Sequence, residues 1–316
     1  MNIKELNKKL QFEFMQKHQK ANEKSEILKN SLNNLSVYQK LSALERELSF
    51  LVAKNKHEKI SSNEIQENLK IVRTQKQKLF TKLGIKKSDL LPKYECNKCK
   101  DLGVIGSTLC ECYIRRRNEE LLKQCGYDIS AMPNFEDFDT SICTDKIQAS
   151  SLEKLKNLLS NWADIYPNIK KQNLILSGTA GVGKTYLSQC LAKKLSKKNY
   201  SICFISAFDM NNMFMKYHTT FDANKGTHIS PLLDSDFLFI DDLGTEPNIK
   251  NVTLDYLYLV LSERERFKKP IIITTNLLPE NLLDTYGERI YSRLSSKITG
   301  KFFHLTGKDL RTSKNS

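Results

Sequence analysis

Apolar residues in the first eighty or so positions recur three, four or seven apart: Leu41, Leu44, Leu48 and Leu51, then Leu69, Val72, Leu79 and Leu83, all among polar neighbours. That period gathers them on one face and predicts amphipathic helices. Glycine and proline are absent from Met1 to Leu83, which suits long helices, and Gly84 supplies a natural stop. From about residue 132 the pattern changes. Short apolar runs stand at Leu174–Leu176, Tyr200–Ile205, Phe237–Ile240, Ile271–Thr275 and Phe302–Leu305, with helical stretches between them. Alternation of this kind predicts a mostly parallel five-stranded sheet covered by helices on both faces, an α/β fold. Between the two regimes, Pro92 opens a compact cysteine-bearing segment, and residues 114–131 read as a basic helix followed by a linker. The expected organisation is a helical region over 1–90, a small cysteine module and linker over 91–131, and an α/β domain over 132–316.

Composition narrows the class. Of 316 residues, 40% are hydrophobic and 9% aromatic, as in a folded soluble protein. No stretch approaches the roughly 18 apolar residues of a membrane helix. Met1–Phe14 alternates apolar and charged residues without the apolar run of a signal peptide, so the expectation is a cytoplasmic protein with no membrane partner. The formal net charge of +14 suits a nucleic-acid binder, because neutralising phosphates releases counterions. Lysine is abundant throughout, however, and Arg115-Arg116-Arg117 is one of few tight basic blocks, so charge alone leaves DNA contact open.

Candidate chemistry is concentrated in the α/β half. Gly178-Thr-Ala-Gly181-Val-Gly183-Lys184-Thr185 follows an apolar strand and precedes the apolar helical run Tyr186–Leu195. It meets every fixed position of G-x-x-x-x-G-K-[ST]. The glycines let the backbone turn tightly so that several N–H groups face the phosphates, and the following helix presents its positive end to the same anion. Lys184 is placed to reach the β- and γ-phosphates of ATP, and the Thr185 hydroxyl to ligate Mg²⁺. A second Mg²⁺ anchor is expected where Phe237-Leu-Phe-Ile240 ends in Asp241 and Asp242: Asp241 beside the metal, Asp242 beside the attacking water. Ile271-Ile-Ile-Thr274-Thr275-Asn276 ends in polar side chains, and Asn276 is expected near the water or the γ-phosphate.

Four of the eight cysteines, Cys96, Cys99, Cys110 and Cys112, fall within 17 residues as Cys-x₂-Cys and Cys-x-Cys. In a reducing compartment such clustering points to metal rather than disulfides. Four thiolates match tetrahedral Zn²⁺ in a structural site, which would let a small segment fold without a large core. An iron–sulfur cluster accepts the same ligands, but no redox partner site is evident. Cys125, Cys143, Cys190 and Cys203 are scattered and read as small buried residues.

The phosphate loop, Ile240-Asp241-Asp242-Leu-Gly, Ile273-Thr-Thr-Asn276, Gly287-Glu-Arg289-Ile-Tyr-Ser-Arg293-Leu and Gly307-Lys-Asp309-Leu-Arg311 occur in that order. Together they resemble the AAA+ ATPases of the DnaC/DnaI family of bacterial helicase loaders. Leu83-Gly84, Tyr94-Glu-Cys96-Asn-Lys-Cys99-Lys-Asp101-Leu-Gly103 and Cys110-Glu-Cys112 resemble the zinc region of the DnaI-like branch. The likeness covers roughly residues 65 to 311. It implies an ATP-dependent loader that binds a replicative DnaB-type helicase through its N-terminal region, helps place it on single-stranded DNA, and self-associates through its ATPase domain. It further implies Arg293 as an arginine finger acting on a neighbouring subunit, with Arg289 a rival four residues earlier, and Arg311 as a sensor of the nucleotide in its own subunit. Asp-Asp in place of the commoner Asp-Glu shortens the reach to water, so hydrolysis is expected to be slow. Two further readings stay open: an IstB-like transposition helper, and a scaffold that binds ATP without hydrolysing it.

Overall fold

The structure is a computed structural model and describes residues 3–55, 62–143, 145–169, 173–198, 200–222, 225–296 and 300–311. The chain divides into two compact units, one of Gln11–Thr108 and one of Met1–Leu10 with Leu109–Ser316.

The first unit is helical. It contains most of α1 (Ile3–Asn33), with α2 (Ser36–Asn55) and α3 (Ser62–Lys82). The break between α1 and α2 falls after the Asn33-Asn34 pair, where asparagine competes with the helix for its own backbone. Gly84 ends α3 in the left-handed region at φ +67°. The amide of Ile85 reaches back to the Phe80 carbonyl at 2.9 Å and that of Gly84 to Thr81, so the orphan carbonyls of the last turn are satisfied. Leu32, Leu69 and Val72 are buried, and Glu45 accepts from both Lys76 (2.8 Å) and Arg73 (3.2 Å).

The chain passes between units within β2 (Thr108–Leu109), which pairs with β1 (Val104–Ile105). The second unit begins with α4 (Glu111–Gln124) and α5 (Lys146–Ile165). A five-stranded sheet follows: β3 (Asn173–Gly178), β4 (Ile202–Ser206), β5 (Phe237–Leu243), β6 (Ile271–Thr275) and β7 (Gly300–Leu305). Its order is β4-β5-β6-β3-β7 and every pairing is parallel. All five expected strands are present. The second starts two residues late, at Ile202, because the Asp236 carboxylate holds the amide and hydroxyl of Ser201 at 2.7 Å, ahead of the ladder.

The two-residue period of the strands sorts the core into two layers. Leu174, Leu176, Phe204 and Phe239 face Leu159 and Trp162 of α5 and Leu187 and Leu191 of α6 (Lys184–Lys197). Ile175, Ile205, Leu238, Ile240 and Ile273 face the other way. There they meet Phe214 of α7 (Ala207–Thr219), Leu257 and Val260 of α9 (Thr253–Arg266), and Ile290 of α10 (Pro279–Leu294). The short α8 (Ser230–Asp234) precedes β5. Helices thus cover both faces, and β3, which carries the phosphate loop, lies inside the sheet between β6 and β7. No described helix is long and apolar enough to cross a membrane.

Candidate nucleotide-binding site

The loop after β3 turns through two glycines with positive φ, Gly181 at +75° and Gly183 at +98°, and Gly183 caps α6. Only glycine takes these values cheaply, which is why the glycine spacing was legible in the sequence. Lys184 opens α6 and is buried. Its ammonium donates to the carbonyls of Gly178 (2.8 Å) and Thr179 (2.7 Å) and to Oδ1 of Asn276 (2.8 Å). Burial lowers its pKa, while Asp242 and Asp241 pull the other way. The lysine, the loop and the end of β6 therefore form one connected group.

Asp241, at the end of β5, is 7% exposed. Its Oδ1 accepts from the hydroxyls of Thr185 (2.9 Å) and Thr274 (2.5 Å). Burial raises its pKa, against the lowering effect of those two hydrogen bonds. Such a carboxylate, held in place yet poorly solvated, is suited to gain a cation. Thr274 also receives the amide of Asp242 on its hydroxyl at 2.9 Å. It so fixes both aspartates, a role that its place in an apolar strand did not signal. Asp242 sits at φ +54°, beside a register shift between Ile240 and Leu243, and this re-aims its side chain toward the cleft.

The cleft over the loop has a volume of about 720 Å³. Gly181, Gly183, Lys184, Thr185, Asp242, Asn276 and Arg311 line it on the phosphate-loop side. Phe138, Ile142, Tyr186 and Leu310 supply an apolar wall, with Phe138 and Tyr186 in ring contact at 5.3 Å. Tyr186 donates to the Asp137 carbonyl at 3.1 Å, which ties that wall to α6. Arg311 makes a two-armed pair with Asp309, at 3.1 and 2.9 Å. Polar groups converging at one end and an apolar slot at the other match a nucleotide in shape and chemistry.

Arg293 is placed elsewhere. On the second half of α10, after a kink at Gly287, it donates to the Tyr258 hydroxyl at 2.8 Å and pairs with Glu265. Arg289 and Arg293 both stack on the Tyr258 ring, 4.4 and 4.7 Å from its centre. The hydrogen bond from Arg293, with help from Arg289, brings the Tyr258 pKa down to about 8. Neither arginine lines the cleft of its own chain.

The sulfurs of Cys96, Cys99, Cys110 and Cys112 all lie within 4.8 Å of one another. Cys99 and Cys110 are buried. The Gly103 amide donates to the Cys99 sulfur at 3.3 Å, and the Asp101 carboxylate accepts the amides of Glu95 and Cys96 at 2.9 and 2.7 Å. Amide donation to sulfur stabilises a metal-bound thiolate. The four residues thus fit a tetrahedral structural ion, whose contribution would be to hold this short segment in its fold.

Comparison with known proteins places this geometry in a family. The family described as IstB-like ATP-binding protein matches residues 113–304, more than half of the chain. An insertion-sequence ATP-binding protein of Mycobacterium tuberculosis is 28% identical over 151 residues, 48% of this chain and 56% of that protein. One from Geobacillus stearothermophilus is 27% identical over 110 residues, 34% of this chain and 41% of that protein. The chain therefore spans about half the length of the curated relatives it matches. Among solved structures, the DnaC helicase loader superposes on 55% of this chain and 96% of its own at TM-score 0.46 and 19% identity. DnaI superposes on 58% of this chain and 92% of its own at TM-score 0.45 and 23% identity. With its phosphate loop, its parallel five-stranded sheet and this match over most of the second unit, the chain belongs to the family of IstB-like ATP-binding proteins.

Proposed function

We propose that this protein is an ATP-dependent loader of a replicative DnaB-type helicase. In this reading residues 1–131 bind the helicase, the α/β domain over 132–316 binds ATP as a switch, and the complex places the helicase on single-stranded DNA. The observation that carries it is what the family match leaves out. The match starts at Tyr113, so α1, α2, α3 and the four-cysteine cluster lie outside it. A separate helical region with a segment that could be held by metal suits a partner-specific adaptor, and it is the part that resembles the DnaI branch.

At the ATP site, Lys184 leaves the Gly178 and Thr179 carbonyls for the β- and γ-phosphates. Thr185 and Asp241 would hold Mg²⁺, which would neutralise phosphate charge, while Asp242 would orient the attacking water and Asn276 would steer Lys184 and the γ-phosphate together. Arg311 senses the nucleotide of its own subunit. Arg293, on an outer helix away from its own cleft, would leave Tyr258 and Glu265 to serve a neighbouring subunit, and Arg289 stands on the same ring as its rival. A finger of this kind is worth roughly 10³ to 10⁵ in rate, so the isolated protein hydrolyses ATP slowly. Zn²⁺, held by Cys96, Cys99, Cys110 and Cys112, would be structural.

A second reading, a helper ATPase of transposition, is favoured by the two relatives compared above, both insertion-sequence proteins. One experiment separates the two. The full chain is immobilised with MgATP and zinc in the buffer, incubated with lysate of its host, and the retained proteins are identified by mass spectrometry. Recovery of the replicative helicase, lost with Cys96→Ser, supports the loader. Recovery of a transposase in its place moves the assignment to the helper.

A further inference from the structure

Gln148 sits three residues past Asp145, the N-cap of α5, whose carboxylate takes the Ile147 amide at 2.8 Å. A glutamine at this place ordinarily folds back onto the backbone of its own N-cap. Here it is 3% exposed and reaches across the chain instead. Its Nε2 donates to the Lys308 carbonyl at 3.0 Å and its Oε1 accepts the Lys308 amide at 3.0 Å, 160 residues away. One amide group thereby holds both backbone groups of one residue, as a neighbouring strand would.

The clasped segment lies on the phosphate loop. The Leu310 amide donates to the Gly181 carbonyl at 3.0 Å. Leu310 is buried, and both Leu310 and Arg311 line the cleft. The fit is close on each side. A Cβ added to Gly307, at φ +147°, would lie 2.1 Å from Cδ of Gln148, and one on Gly181 would lie 1.9 Å from Oδ1 of Asp309.

We infer that Gln148 is a positioning residue for the nucleotide site: its amide clasp on Lys308 holds the 307–311 strap against the phosphate loop and so sets where Arg311 stands. The inference rests on the proposed reading of Arg311 as a nucleotide sensor. Gln148 itself touches no nucleotide atom in this scheme. It acts through a segment that covers the site from a distant part of the sequence.

Q148M keeps the side chain's volume against Gly307 and removes both hydrogen bonds, and Q148A serves as a second variant. The clasp is read without nucleotide, from hydrogen exchange of the Leu310 amide, which Gln148 does not contact. Its exchange is expected to quicken about tenfold in Q148M, as local opening of the strap becomes easier. The consequence is read from binding of ATP and ADP. Q148M is expected to weaken both about tenfold, the size of one lost charge-assisted contact. It should add nothing further in an R311A background, because the same contact is already gone. Unchanged Leu310 exchange in both variants overturns the inference, as do losses from Q148M and R311A that multiply. R311A binding ATP like the wild type removes the sensor reading and this inference with it, a result that Leu310 exchange keeps apart from failure of the clasp.

Discussion

At the scale of single residues, the site carries a cost that its function explains. Asp241 ends β5 in a buried position that raises its pKa above the ordinary 3.8. Below pH 3.8 the folded and unfolded states both hold the proton. Above the folded value the buried charge penalises the folded state, so stability falls as pH rises through that window. D241N keeps an oxygen for Thr185 and Thr274 and removes the charge. The nucleotide-free variant is therefore expected to melt about 2–4 °C higher at pH 7, for a gain on the order of 1 kcal/mol, by differential scanning fluorimetry. The same variant is expected to lose Mg²⁺-dependent ATP binding. A second buried charge, Arg264, is structural: burial brings its pKa to about 10, and it donates to the carbonyls of Leu232, Ser235, Asp236 and Pro270. R264A is expected to cost about 3–5 kcal/mol in urea unfolding, because four carbonyls lose their donor. The phosphate-loop residues were legible because eight neighbours in sequence carry the whole pattern. Thr274, Gln148 and Arg264 were not, because each takes its role mainly from partners distant in sequence, such as Asp236 for Arg264, Asp241 for Thr274 and Lys308 for Gln148.

Elements repeat that division. The five strands were legible because buried runs such as Ile271–Thr275 stand between polar stretches, and the parallel sheet followed from their alternation with helices. The break of the N-terminal helix at Asn34 and the kink at Gly287 were not, since neither interrupts an apolar period. Strand order is also invisible in a run of apolar letters, although it decides what flanks the phosphate loop. Gly178 shows the effect. Its φ is +148°, and a Cβ there would stand 2.1 Å from the Leu305 carbonyl oxygen at the end of β7. G178A is expected to force the ends of β3 and β7 apart and cost about 3 kcal/mol or more, read as a fall in the urea midpoint.

At the scale of the whole molecule, the cysteine cluster and the nucleotide cleft are separate in chemistry and are expected to respond separately. Protein prepared without chelator should carry about one zinc per chain by elemental analysis, as four thiolates bind a single tetrahedral ion. Stripping that ion should abolish helicase capture while MgATP affinity stays within about twofold, since Lys184, Thr185 and Asp241 share no ligand with the metal. Fold class and the convergence of the four cysteines could be read from spacing alone. A partner could not, because the letters of the N-terminal helices describe any solvated amphipathic helix.

The sheet order has a consequence for how the protein is made. Of the five sheet strands, β3 is synthesised first, and the two that flank it, β6 and β7, are synthesised last. The strap that covers its loop comes later still, at 307–311. A growing chain on the ribosome exposes its glycine loop well before β6 exists and more than a hundred residues before β7 and the strap do. Nucleotide therefore meets only part of its site in the early chain. The full set of contacts is available only to chains that have emerged through Arg311, so truncated products are expected to bind ATP more weakly than the whole protein.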